Sequence, residues 1–318
     1  PSSGLSTQKY LKLIKDLWQM NKSVMITGIN GLLGQNIVQE FASDHDIYGL
    51  DLTPSIFGSV NNIHVNQLDL NDTVALEEYI RLVKPDSIIN TAAYTNVDRA
   101  EEDQDIAFAV NGQVPASIAA ICKENEIPLV HLSTDYVFSG NSGPYRETDI
   151  CDARGKYSES KLSGEKAVLE SGAEVAVIRP NVMYGHGEQL KSSFVAWLLG
   201  ELRNKRSVRI VDDQYNNPTY ARRLASVIRS VIDQKAWGIW HFGSKEVVSR
   251  YTFALKIADT FGLSSALINA ISTVDLNQKA PRPLRSGLIC EKLNKELNIP
   301  IMSIDEELAL LKEEMNVS

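Results

Sequence analysis

Short apolar blocks punctuate this chain, and longer stretches with helical spacing separate them. Val24-Met25-Ile26-Thr27, Ile47–Leu50, Asn62–Val65, Ser87–Asn90, Leu129–Leu132 and Val175–Arg179 are each four or five residues long. Runs of that length bounded by turn residues read as buried strands. Between them, the segment after Gly34 to Phe41, Val74–Val83, Val110–Asn125 and the segment opening at Tyr157 carry a helical pattern. Strand–helix alternation of this kind predicts βαβ units and a parallel sheet.

Beyond residue 180 the alternation thins. A helix is expected near Ser193–Arg203, a strand at Val208–Val211, a turn-rich run at 212–219 and a helix over Tyr220–Asp233. A strand at Trp237–His241, a helix at Tyr251–Phe261, a loop at Pro281-Arg282-Pro283 and a final amphipathic helix at Asp305–Met315 follow. The fold class is therefore α/β: a Rossmann-type doubly wound parallel sheet over 23–180, then a smaller α/β substrate lobe over 181–318, partly interleaved with it. Residues 1–22 form an extension in which Tyr10, Leu13, Ile14, Leu17 and Trp18 share one helical face, expected to pack on its own domain. Lys12, Lys15 and Asp16 interrupt any signal-peptide core there.

Composition narrows the partners. At 318 residues and 43% hydrophobic, the chain can bury a large core or two fused lobes. A net charge of −8, with no basic block, makes nucleic acid and acidic membranes poor partners. No apolar run is expected to be long enough to cross a bilayer. Three widely spaced cysteines, Cys122, Cys151 and Cys290, read as free thiols of a reducing cytoplasm, not as a disulfide or zinc set. None of the five histidines has triad or metal spacing.

Candidate chemistry comes next. Gly28-x-x-Gly31-x-x-Gly34 sits between a strand and a helix, with Asp51 closing the second strand. The glycines allow a tight turn and close backbone approach to a pyrophosphate, the helix N-terminus offers N–H donors, and the carboxylate suits ribose hydroxyls. This predicts a dinucleotide site. The small residues of Thr91-Ala92-Ala93-Tyr94 after the fourth strand suit passage beside a flat cofactor or simply a tight loop. Ser133 and Thr134 end the fifth strand, and Tyr157 and Lys161 stand one helical turn apart. A hydroxyl, a phenol and an ammonium form a proton-transfer set in which the lysine lowers the phenol's pKa. Asp135 either tunes that site or caps the following turn. Arg282 either grips a pyrophosphate or is an ordinary surface arginine, and Arg179 is expected in an ion pair.

These motifs, together with Ser133–Phe138, Pro144-Tyr-Arg-Glu-Thr-Asp149, Lys161-Leu-x-Gly-Glu165, Asp213-Gln214-x-x-x-Pro218-Thr219 and Arg282-Pro283, resemble the extended short-chain dehydrogenase/reductases. The likeness is greatest to the dTDP-4-dehydrorhamnose reductase branch and covers residues 23–315. The resemblance implies NAD(P)H-dependent reduction of the 4-keto group of a nucleotide-activated 6-deoxysugar. It makes Tyr157 the general acid, Lys161 its electrostatic partner and ribose contact, and Thr134 the carbonyl-binding hydroxyl. Gly28, Asn30, Gly31, Leu32, Leu33, Gly34, Asp51, Asp69, Leu70, Ala92, Ala93 and Tyr94 fall on the cofactor side. Thr95, Val97, Asp135, Tyr136, Asn181 and Arg282 fall on the sugar-nucleotide side.

Two departures from the branch matter. Arg179-Pro180-Asn181-Val182 stands where relatives carry a sugar-contacting Trp, which leaves the sugar undefined. Gln35-Asn36 follows Gly34 where some relatives place a magnesium-binding Glu, so no metal is expected. The regulatory subunit of eukaryotic methionine adenosyltransferase has the same fold and the same Gly-Leu-Leu-Gly ending, and a non-catalytic subunit is the alternative. Another sugar-nucleotide epimerase or dehydratase is a third reading. The assembly stays open, a homodimer included.

Overall fold

A computed structural model describes residues 22–190 and 193–317. The predicted helix of the N-terminal extension lies outside the described residues. β1 (Lys22–Thr27), α1 (Leu32–Phe41), β2 (His45–Asp51), β3 (Ile63–Gln67), α2 (Thr73–Val83) and β4 (Ser87–Asn90) form the first half of the nucleotide-type unit. Then come α3 (Gln104–Phe108), a π-helical turn at Ala109–Gln113, α4 (Val114–Asn125), β5 (Leu129–Leu132), α5 (Lys156–Glu170) and β6 (Val175–Pro180).

The seventh strand of the sheet, β7 (Gly238–Phe242), comes from beyond residue 180 and pairs in parallel with β6, Gly238 opposite Ala176. The order is β7-β6-β5-β4-β1-β2-β3, all parallel. Between β4 and β1 the order reverses, and a ligand crevice is expected outside the carboxyl ends there. A boundary at 180 thus does not enclose the whole sheet.

Side chains on β1 alternate between two cores, Val24 and Ile26 facing one way and Met25 the other, as the two-residue strand period requires. On the first face lie α1 and α7 (Ala221–Asp233), α7 contributing Leu224, Ile228 and Val231, with Trp240 of β7 and Leu293. On the other lie α2, α4 and α5, contributing Ile80, Ile118 and Val168. A third core joins α6 (Phe194–Arg203), α8 (Arg250–Thr260), Val208 and Ile210, and the closing helix Ile304–Val317 through Ile304, Leu308 and Leu311. That is the smaller lobe.

Against expectation, Gln104–Asn125 is by length and composition apolar enough to cross a membrane. Half of that stretch is buried. Ile106 is exposed, but Val114, Ile118, Ala119, Ile121 and Cys122 of this stretch sit in the core on the α4 face of the sheet, which accounts for the composition of a central helix.

Candidate active site

The chain turns after β1 at Gly28, whose φ of +71° suits glycine alone. A Cβ there would lie 3.0 Å from the backbone of Ala92, so the loops after β1 and β4 pack directly together. Gly31 precedes α1 and no side chain caps it, which leaves the first-turn N–H groups to an anion. At Gly34 a Cβ would meet the carbonyl oxygens of Gly28 and Ile29 at 2.5 Å. Only glycine lets α1 dock this closely.

Asp51 at the end of β2 accepts N–H bonds from Asn30 (3.1 Å) and Thr53 (3.0 Å) and the Thr53 hydroxyl (2.9 Å). Its carboxylate braces the glycine loop from behind. Gln35 ties the same loop to the smaller lobe, donating to Asn30 O and Glu188 O and accepting from Glu188 N. Leu33 is buried behind the loop and Leu32 half-buried in it. Asp69 closes its own turn onto Asn71, and Leu70 is buried in the core.

Ala93, Tyr94 and Thr95 continue from β4 without regular structure. Tyr94 is pinned at both backbone atoms by one buried side chain: its N–H donates to Asn111 Oδ1 (2.8 Å), and Asn111 Nδ2 donates to its carbonyl (3.0 Å). The same Nδ2 also donates to Ser160 Oγ on α5 (3.0 Å). Asn111 lies in the π-helical turn, a common location for functional side chains. The sequence reading missed it, although a polar residue inside Val110-Asn111-Gly112 is a signal. Thr95 is exposed and Val97 half-buried.

At the end of β5, Thr134 Oγ1 accepts from Tyr136 N–H (3.2 Å) and donates to Asp135 Oδ1 (3.2 Å). The Tyr157 phenol lies beside the Thr134 hydroxyl, and the Tyr136 ring stands edge-on to Tyr157 at 5.9 Å. Burial pushes the Tyr157 pKa well above 10, with Asp135 and Tyr136 adding to the rise and the Thr134 hydroxyl opposing it. The expected lowering by Lys161 is therefore not found in this arrangement. Lys161 Nζ instead donates to Leu132 O at 2.5 Å, and only 3% of the residue is exposed. Burial pulls its pKa down to about 8, opposed by Glu165.

Glu165, one turn further along α5, accepts from Ser133 Oγ at 2.5 Å. It is also gripped in bidentate fashion by Arg179 through Nε (3.1 Å) and Nη2 (2.5 Å), both side chains being 2% exposed. Arg179 is thus structural, as expected.

Three buried polar atoms near this point lack a hydrogen-bond partner: Asp135 Oδ2, Asn181 Oδ1 and Arg250 Nε. Burial raises the Asp135 carboxyl to about 7 against the Ser286 hydroxyl and the Arg250 guanidinium, which favour its ionised form. Asn181 donates to Asn217 Oδ1 (2.7 Å). Arg250 opens α8, lies over the Phe194 ring (5.7 Å) and brings its positive charge near the Tyr136 hydroxyl. Sequence reasoning missed it, because only the pairing of Val248–Ser249 with Tyr215–Asn216 carries it to the crevice. Arg282 is largely buried and already engaged by Asp98 Oδ2 (2.8 Å) and Ala280 O (3.0 Å), so it is not a surface arginine.

The family described as the RmlD substrate binding domain matches residues 21–317. The probable low-salt glycan biosynthesis reductase Agl14 of Haloferax volcanii is 32% identical over 90% of this chain and 96% of its own. A dTDP-4-dehydrorhamnose reductase of Mycobacterium tuberculosis is 34% identical over 84% and 85%. Methionine adenosyltransferase 2 subunit beta of Bos taurus is 32% identical over 86% and 82%. Among solved structures, a dTDP-4-dehydrorhamnose reductase of Bacillus anthracis in complex with NADP superposes with a TM-score of 0.85 at 27% identity, covering 93% of this chain and 100% of that one.

Proposed function

The chain belongs to the RmlD substrate-binding-domain family, and from that premise we propose that it is an NAD(P)H-dependent reductase of the 4-keto group of a nucleotide-activated 6-deoxysugar. The observation that carries this reading is the meeting of Thr134, Tyr157 and Lys161 at the carboxyl end of β5. The glycine loop suits the cofactor: its first-turn N–H groups are uncapped and Gly31 is exposed. Bound there, NAD(P)H supplies the hydride.

The protein's own part is proton delivery and charge stabilisation. Burial keeps the Tyr157 phenol protonated, as a general acid must be before it acts. A donor within about 3 Å of the substrate oxygen can hand over its proton as negative charge builds there. Thr134 offers a second hydrogen bond to that oxygen, and the Lys161 ammonium, one turn along the same helix, is held on Leu132 O at the strand end. The unpartnered atoms of Asp135, Asn181 and Arg250 are hydrogen-bonding groups for the sugar nucleotide, Arg250 taking the place that sequence gave to Arg282.

The test is cofactor oxidation with dTDP-, UDP- and GDP-linked 4-keto-6-deoxysugars. Turnover of at least one supports the reading. The identity with methionine adenosyltransferase 2 subunit beta favours a second reading, a regulatory subunit. No turnover with any sugar, together with tight binding to a methionine adenosyltransferase catalytic subunit, would establish that instead.

A further inference from the structure

Two consecutive residues of β5 and its exit meet two residues of α5 spaced one turn apart. Leu132 O receives the Lys161 ammonium at 2.5 Å, and Ser133 Oγ donates to the Glu165 carboxylate at 2.5 Å. Lys161 and Glu165 therefore lie on one buried face of α5 and clasp the strand end from which Thr134 projects. We propose that Glu165 is a positioning residue: its carboxylate fixes the Ser133–Thr134 strand end and holds Lys161 as a buried ammonium. The proposal deepens the functional reading above, since it concerns the lysine of the same proton-transfer set.

A buried ammonium is costly unless an anion faces it. On β5 the neighbouring ionisable group is His131, which is fully buried and kept neutral by burial and by Lys161 itself. Its Nδ1 lies 3.1 Å from Asn90 Nδ2, and its Nε2 has no partner. On α5, Tyr157 stands one turn before Lys161, and burial keeps it uncharged. On β6 the charged group is Arg179, a cation paired with Glu165. Glu165 is thus the anion that acts on Lys161. The Ser133 hydroxyl and the bidentate Arg179 fork give that carboxylate three hydrogen bonds.

A purely structural role, in which Glu165 only neutralises Arg179, makes a different prediction. Removing either partner would then loosen the core, admit water and raise the Lys161 titration midpoint toward the ordinary lysine value. Under the proposal the two removals act in opposite directions. Glu165→Gln strips the ammonium of its anion and lowers the midpoint, whereas Arg179→Gln removes a competing cation and leaves the midpoint level or raises it.

The experiment is NMR of the protein carrying ¹³Cε-lysine, without cofactor, with the Lys161 signal assigned by its loss in Lys161→Met. Wild type should titrate near pH 8. Glu165→Gln should titrate lower by about one unit, a tenfold change in the proton dissociation constant, and Arg179→Gln should not titrate lower. Glu165→Asp keeps a carboxylate and should stay closer to wild type. If Glu165→Gln does not fold, the Arg179→Gln and Glu165→Asp arms decide. A midpoint that rises in Glu165→Gln, or falls in Arg179→Gln, overturns the proposal. NAD(P)H binding to wild type is measured alongside: its absence would count against the functional reading and leave the lysine titration standing.

Discussion

Gly164→Ala puts one methyl group where α5 rests on the π-helical turn. A Cβ built at Gly164 lies 2.0 Å from Asn111 O and 3.2 Å from Pro115 Cγ. An ordinary contact is about 3.5 Å, so α5 must retreat by roughly 1.5 Å or the π turn must move by as much. Overpacking of this kind costs about 1–3 kcal/mol. Alanine in mid-helix returns about 1 kcal/mol over glycine. The expected net loss is about 0–2 kcal/mol, a fall in Tm of at most a few degrees. The functional loss should be larger in proportion, because the helix that retreats carries Tyr157 and Lys161, and a 1 Å misplacement can cost about 10²-fold in rate. Gly200→Ala is the control, since it too is helical but has nothing within 4 Å of the new Cβ. It should gain up to about 1 kcal/mol and leave kcat/KM unchanged. Thermal unfolding and kcat/KM of both variants decide the matter. If Gly164→Ala is as stable and active as Gly200→Ala, the close docking of α5 on Asn111 has no consequence and the reasoning is wrong.

Three further outcomes are expected. Asp51, braced on Asn30 and Thr53, repels a 2′-phosphate, and Leu52-Thr53-Pro54 supplies no arginine. NADH should therefore serve at least as well as NADPH in kcat/KM, and a hundredfold preference for NADPH would show otherwise. Glu307 is buried against the Tyr184 hydroxyl (3.1 Å), and burial raises its pKa from 4.5 to about 8. The folded state thus favours the protonated acid, and this contribution to stability is complete below pH 4.5 and lost as pH rises through about 8. Urea midpoints should decline over that window in wild type and less steeply in Glu307→Gln; equal slopes would contradict the assignment. Arg250→Met should raise KM for the sugar nucleotide at least tenfold, roughly the worth of one charged hydrogen bond, and leave cofactor affinity alone. An unchanged KM would remove Arg250 from the substrate side.

Local pattern made much of this fold legible. Leu129–Leu132, Ser87–Asn90 and Val208–Val211 form strands at the predicted bounds, because unbroken apolar runs between turns leave little choice. At the sheet edge the pattern weakens: β3 runs from Ile63 to Gln67, one residue later at its start and two at its end than expected, and its His64, Asn66 and Gln67 are exposed. The helix expected from Val110 begins at Gln104 and passes through a π turn at 109–113, which no simple 3.6-residue period describes. Trp237–His241 read correctly as a strand within one residue, but its place beside β6 depends on tertiary pairing. In the site, spacing was enough to set Tyr157 and Lys161 on one helix face. It could not foretell that Lys161 reaches the Leu132 carbonyl, that Asp98 engages Arg282, or that Arg250 arrives from the other lobe. Those are contacts between residues dozens of positions apart.

Tyr157→Phe tests the central claim most directly, because it removes one hydroxyl and keeps the ring that packs on Tyr136. Cofactor affinity and single-turnover reduction of the best 4-keto-6-deoxysugar nucleotide are to be measured on the same preparation. Affinity should stay within a fewfold of wild type, and reduction should slow by roughly 10² to 10⁴, the usual worth of general acid catalysis. Reduction by Tyr157→Phe at near the wild-type rate would contradict the account.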